Sequence, residues 1–139
     1  MKYYFLGIGG IGMSSLAKYL FDLGYQVMGY DKTSSYITEN LVASGIQILF
    51  DDNIELIPSD FNKKNTQVVY TPAIPKDNPQ YDYFARQGYS IKKRAVLLGE
   101  ITKDSTVFAI AGTHGKTTTA SFLSHLFKYA NLDFTAFLG

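Results

Sequence analysis

"YYFLGIGGIGMSSLA" runs from Tyr3 to Ala17, and its reading decides the fold. The first residues form an apolar run of strand length. The later ones open a stripe of Met13, Leu16, Ala17, Leu20 and Phe21, whose three- and four-residue spacing marks one buried helix face. Between them lie Gly7, Gly9 and Gly12 in G-x-G-x-x-G order. A strand that turns through such glycines straight into a helix is the opening unit of a parallel sheet of the dinucleotide-binding kind. The first glycine permits the tight turn, the second lets the main chain approach a pyrophosphate, and the third lets helix and strand pack closely. The helix head then offers unpaired N–H groups to the anion.

Downstream the alternation continues. "QVMGY" (26–30), "IQILF" (46–50), "QVVYT" (67–71) and "YSIKK" (89–93) read as further strands. Asn78 as cap, Pro79 at the first helical position and Gly88 as stop bracket a helix with Tyr81, Phe84 and Ala85 on one face. "RAVLLGEI" from Arg94 is helix-like, and the polar "TKDST" (102–106) predicts a boundary. The expected class is α/β, a Rossmann-like parallel sheet with flanking helices over residues 1–104. Residues 105–139 read as the start of a second domain: a strand "TVFAIA" (106–111), a glycine loop, and a helix from about Lys116 to Ala130. One strand and one helix cannot close a sheet, so this unit either adds to the first sheet or opens a further domain.

Composition narrows the setting. With 139 residues, 46% of them hydrophobic, the chain can bury a core, and a net charge of +1 gives no long-range field favouring nucleic acid or an anionic membrane. Any anion site must therefore be local. The absence of cysteine excludes a disulfide scaffold and thiolate metal sites. The amino terminus breaks at glycines too soon for a signal peptide or a membrane span, so a cytoplasmic location is expected.

The first loop alone does not specify its pyrophosphate: NAD, FAD and a UDP-sugar all carry two phosphates between sugars. Asp31 follows the second strand at the distance where an acid meets a ribose hydroxyl in dinucleotide-binding folds. The turn Thr71, Pro72, Ala73 follows the fourth strand, at the carboxyl edge where ligands of open parallel sheets lie. The basic run Lys92 to Arg94 could reach a diphosphate, although such runs are usually solvated.

The second loop is "AGTHGKTTT", with Gly112, Gly115, Lys116 and Thr117 as its chemical core. Successive N–H groups can wrap a β-phosphate, the Lys116 ammonium can reach the β- and γ-phosphates, and the Thr117 hydroxyl can ligate Mg²⁺. A full-length P-loop would have its first glycine at position 110, where this chain has Ile110, so the loop is a shortened variant turning at Gly112. His114 lies inside it, where an imidazole can touch phosphate or adenine. An NAD-binding module of an oxidoreductase or sensor would explain the first loop but leave this one idle.

Taken together, "GIGGIGMSSLA" (7–17), "RAVLLGEI" (94–101) and "GTHGKTTTAS" (112–121) resemble the Mur ligase family, whose members build the cytoplasmic peptidoglycan precursor. The resemblance implies a three-domain, ADP-forming ligase of which this chain holds the first domain and the opening of the ATP-binding second. It implies UDP-N-acetylmuramate, L-alanine and ATP with Mg²⁺ as substrates and cofactor, joined through an acyl-phosphate. Gly7, Gly9, Gly10, Ile11, Gly12, Met13 and Ser14 would lie along the UDP diphosphate, while Asp31, Thr71, Pro72 and Ala73 would line the nucleotide-sugar crevice. Gly112, Thr113, His114, Gly115, Lys116, Thr117 and Thr118 would hold ATP, with Lys116 catalytic and Thr117 on the metal. On this reading the chain alone binds the UDP-sugar at most.

Overall fold

A computed structural model describes residues 1–138. Five strands, β1 (Lys2–Leu6), β2 (Gln26–Tyr30), β3 (Gln47–Leu49), β4 (Thr66–Tyr70) and β5 (Ser90–Lys93), form one sheet in the order β3-β2-β1-β4-β5. Every neighbouring pair is parallel. The helices are α1 (Ile11–Asp22), α2 (Tyr36–Ala43), α3 (Pro79–Arg86), α4 (Arg94–Thr102) and α5 (Lys116–Tyr129).

Chain direction across the sheet reverses between β3 and β4, and with right-handed crossovers that reversal moves the connecting helix to the other face. The core divides accordingly. On one face Phe5, Val27 and Val69 of the sheet meet Met13, Leu16, Ala17 and Leu20 of α1, Leu41 of α2 and Leu97 of α4. On the other, Tyr4, Leu6, Met28, Tyr30 and Val68 meet Phe84 of α3 and Phe61. Alternate strand residues serve opposite layers, so β1 is buried on both sides, as a central parallel strand must be.

The second layer is rich in phenols. The Tyr4 hydroxyl donates to Gln80 Oε1 at 2.7 Å, and Gln80 Nε2 donates to the Asp51 carbonyl at 3.2 Å, so both buried polar groups are satisfied. Burial drives the Tyr4 hydroxyl well above its ordinary ionisation range. It also pushes Tyr89 up to about 12, with its hydrogen bond to Tyr83 acting in the same direction. Raised folded-state values favour the neutral phenols, so their contribution is intact below pH 10.0, the ordinary phenol value, and is lost as pH climbs from there toward 12. Urea midpoints should accordingly hold steady from neutrality to about pH 9 and then fall steeply. A midpoint that stayed level across the alkaline window would contradict this.

The structure adds one helix and corrects one expectation. Residues 36–43 form α2, which periodicity did not announce; its start is held by Ser35, whose side chain accepts from Thr38 N while Thr38 Oγ1 accepts from Ser35 N. Residues 106–111, expected as a strand, belong to no ladder among the described residues and do not extend the first sheet. The segment lies instead against α5, with the Phe108 ring 5.3 Å from Phe127, and the Phe134 ring also packs on Phe127 at 5.6 Å. Apolar patterning is common to a strand and to an extended segment, and only a hydrogen-bonding neighbour distinguishes them. Gly139, the last residue of the expected second domain, lies outside the described residues.

Candidate functional site

Because all strands of the sheet run one way, the segments after β1, β2, β4 and β5 emerge along one edge. The first is the glycine turn. Gly7 has φ +81°, a conformation that L side chains resist, and its N–H together with that of Ile8 donates to the Tyr30 carbonyl, which bends the chain over the end of β2. Gly10 then caps α1 with extended backbone and no side-chain acceptor, and no acid stands in the first turn. The head of α1 thus presents its N–H groups of residues 11–13 with the positive end of the helix dipole behind them.

Asp31 lies at this turn. Its Oδ2 accepts from Gly9 N at 2.8 Å and its Oδ1 from Thr33 N at 3.2 Å, so the carboxylate ties the loop after β1 to the loop after β2. A methyl on Gly9 would lie 2.8 Å from Asp31 Oδ2 and 2.9 Å from Thr38 Cγ2, and that closeness is what glycine here permits. The turn after β4 arrives from the other side, since a methyl on Gly7 would meet Ile74 Cδ1 at 3.2 Å. Within it Ile74 N donates to the Thr71 carbonyl and Ala73 N to Thr71 Oγ1, leaving the Thr71 hydroxyl proton available to an acceptor. Pro72 and Ala73 are exposed beside it.

The other residues of the first loop divide by orientation. Ile11 is 60% exposed, whereas Met13 is buried in the core at 1%, so that Met13 can meet a ligand only through its main chain. Ser14 N donates to the Gly10 carbonyl and its hydroxyl to the Ile11 carbonyl, so both donors stiffen the first turn of α1.

The basic run after β5 separates in space. Lys92 pairs with Glu100 at 2.8 Å, a solvated ion pair, and Lys93 is the exposed cap of α4. Arg94, the first residue of α4, lies against the head of α1: a methyl on Gly12 would fall 2.6 Å from its Nη1 and 3.1 Å from its Cζ. Thr38, too, enters the site unannounced. The Ser-x-x-Thr pattern at 35–38 was the available signal, although glutamate or glutamine is the usual third partner of such a box.

The second loop stands apart at the head of α5. Gly115 caps that helix in the left-handed region, φ +75° and ψ +7°, with no side-chain acceptor and no acid in the first turn. The Lys116 ammonium folds back over the loop and donates to the Gly112 carbonyl at 2.7 Å. The loop is thereby closed between Gly112 and Lys116 at the helix head, a glycine and lysine turn of the kind that suits a polyphosphate. Gly112, Thr113, His114, Thr117 and Thr118 are all exposed around it. No cluster of acidic or imidazole ligands able to hold a metal occurs among the described residues. No helix among the described residues is long and apolar enough to cross a membrane.

Residues 2–106 match the family described as Mur ligase family, catalytic domain. A UDP-N-acetylmuramate–L-alanine ligase of Flavobacterium johnsoniae is 55% identical over 136 residues, covering 98% of this chain and 30% of the relative. Among solved structures, a UDP-N-acetylmuramate-alanine ligase of Thermotoga maritima superposes with a TM-score of 0.86 at 32% identity, over 94% of this chain and 30% of that one. A UDP-N-acetylmuramate:L-alanyl-gamma-D-glutamyl-meso-diaminopimelate ligase of Neisseria meningitides gives 0.83 at 28% identity, over 94% of this chain and 40% of that one. The chain thus spans about a third of the length of the relatives it matches, and with its family match running from residue 2 to 106 it belongs to the Mur ligase family.

Proposed function

We propose that this chain is the amino-terminal part of an ATP-dependent ligase that joins L-alanine to UDP-N-acetylmuramate in the cytoplasm, and that its own share of the work is to hold the UDP-sugar. The observation that carries the reading is the convergence of the glycine turn, Asp31, the Thr71–Ala73 turn and Arg94 on one sheet edge, around an uncapped helix head. The relatives support the choice of ligand. Two solved ligases that match almost equally well differ in the amino component of their names and share UDP-N-acetylmuramate. What this chain has in common with both supports the shared substrate as its ligand.

On this reading residues 1–104 are the UDP-sugar domain and residues 105–139 the leading edge of an ATP-binding domain. The diphosphate lies along Gly9 to Ser14 and the nucleotide-sugar in the crevice of Asp31 and Thr71–Ala73. ATP phosphates sit in the loop of Gly112 to Thr118. Thr117 would hold Mg²⁺ there, and the ion would supply charge neutralisation to the phosphates. Lys116 holds the γ-phosphoryl as it leaves ADP for a carboxylate oxygen of the muramate. The alanine nitrogen then attacks the activated carbonyl, losing a proton, and inorganic phosphate departs. Positioning and neutralisation, rather than covalent help, are what such a transfer asks of protein.

Titrating the chain with UDP-N-acetylmuramate, NAD and ATP-Mg²⁺ separately, followed by amide chemical shifts, tests the assignment. The UDP-sugar should perturb Gly9 to Ser14 and NAD should leave them unmoved. Protection by NAD without any response to the UDP-sugar would hand the first loop to a dehydrogenase-like function.

A further inference from the structure

The usual duty of the third fingerprint glycine is close packing of helix on strand. At Gly12 the structure shows something else. The atoms that a methyl group would strike are Nη1, Cζ and Cδ of Arg94, at 2.6, 3.1 and 3.4 Å, and no strand atom is nearer. Gly12 lies in the first turn of α1 without positive φ, so alanine would suit its backbone. Arg94 is half-buried, and among the described residues it forms neither an ion pair nor a side-chain hydrogen bond. Its backbone is fixed: α4 begins directly after β5 with no intervening loop, and Leu97 one turn on is locked into the core with Met13 and Leu16 of α1. A guanidinium without a carboxylate, held over an uncapped helix head that itself lacks acids, is matched to a multiply charged oxyanion, for which its planar fork offers paired donors.

We propose that Arg94 is the positioning cation of the diphosphate at the first loop, and that position 12 is glycine to leave room for its guanidinium. This rests on the UDP-sugar reading above. It adds that the site is completed from the far edge of the sheet, by the junction of β5 and α4, and that the two halves of the sheet must be assembled before a diphosphate is held well.

The test is calorimetric titration of the chain with UDP-N-acetylmuramate, for Arg94→Ala, Arg94→Lys, Gly12→Ala and the double variant of Arg94→Ala with Gly12→Ala, each with a urea midpoint. Arg94→Ala should weaken binding by about 10- to 100-fold, the range for a charged hydrogen-bonding group, and Arg94→Lys should restore part of it. Gly12→Ala should weaken binding while leaving the urea midpoint unchanged or raised, since alanine favours the helix. In the Arg94→Ala background the same change should cost little. Equal affinity of Arg94→Ala and the parent chain would overturn the proposal and spare the UDP-sugar reading. An undiminished Gly12→Ala penalty in that background, or a lowered midpoint, would overturn the role given to glycine. No binding by the parent chain would remove the UDP-sugar reading and this role with it.

Discussion

On the proposed ligase function, Lys116→Ala in the whole enzyme is expected to reduce ATP-dependent ligation by about a thousandfold or more while leaving UDP-N-acetylmuramate affinity near normal. The size follows from what single charged or preorganised donors contribute to phosphoryl and acyl transfer, commonly 10²-fold and upward. The selectivity follows from position: Lys116 opens α5 and folds over Gly112, whereas the residues of the proposed sugar crevice gather at the ends of β1, β2, β4 and β5. Little stability should be lost, because the loop is exposed and surface substitutions usually cost within about 0.5 kcal/mol. Steady-state ligation assays paired with UDP-sugar titration separate the outcomes. Undiminished turnover would remove Lys116 from the chemistry. A parallel loss of sugar affinity would show that it acts through the fold.

Gly29→Ala should produce the largest stability loss of any single methyl added to the sheet. Gly29 sits in β2 opposite Phe5, and its new Cβ would stand 2.5 Å from the Phe5 carbonyl oxygen, with Ile8 Cδ1 at 2.9 Å. The first obstacle is main chain in a strand buried on both faces, so it cannot rotate away, and the cost is about 3 kcal/mol or more. Against the 5–15 kcal/mol typical of a domain, that is a large fraction, and it corresponds to a melting point lower by roughly 10 °C. Since Ile8 belongs to the glycine turn, UDP-sugar affinity should fall with it. Gly99→Ala is the contrasting control. Gly99 lies within α4 with nothing near its Cβ, and helix propensity alone should raise stability by up to about 1 kcal/mol. If both variants melted with the parent, the close approach of β1 and β2 at this point would be disproved.

Much of the architecture is legible in the chain. The five strands lie within a residue or two of their sequence-predicted positions, because a buried parallel strand is written as a short apolar run. The helices α1, α3 and α5 are written as stripes with glycine or proline punctuation. α2 escaped since only Leu41 on it belongs to the core, and one buried apolar side chain makes no period. The segment at 106–111 has the composition of a strand but no neighbour to pair with.

By itself the sequence determined that this protein is a parallel α/β sheet with two glycine turns, each leading into a helix head suited to phosphate, because hydrophobic period and glycine spacing are local properties. It could not settle which of Lys92, Lys93 and Arg94 faces the first turn, why position 12 is glycine, or that Gly29 is pressed by a neighbouring strand. Those are distances between residues far apart in the chain, and they exist only once β5 lies beside β4, β4 beside β1, and α4 against α1.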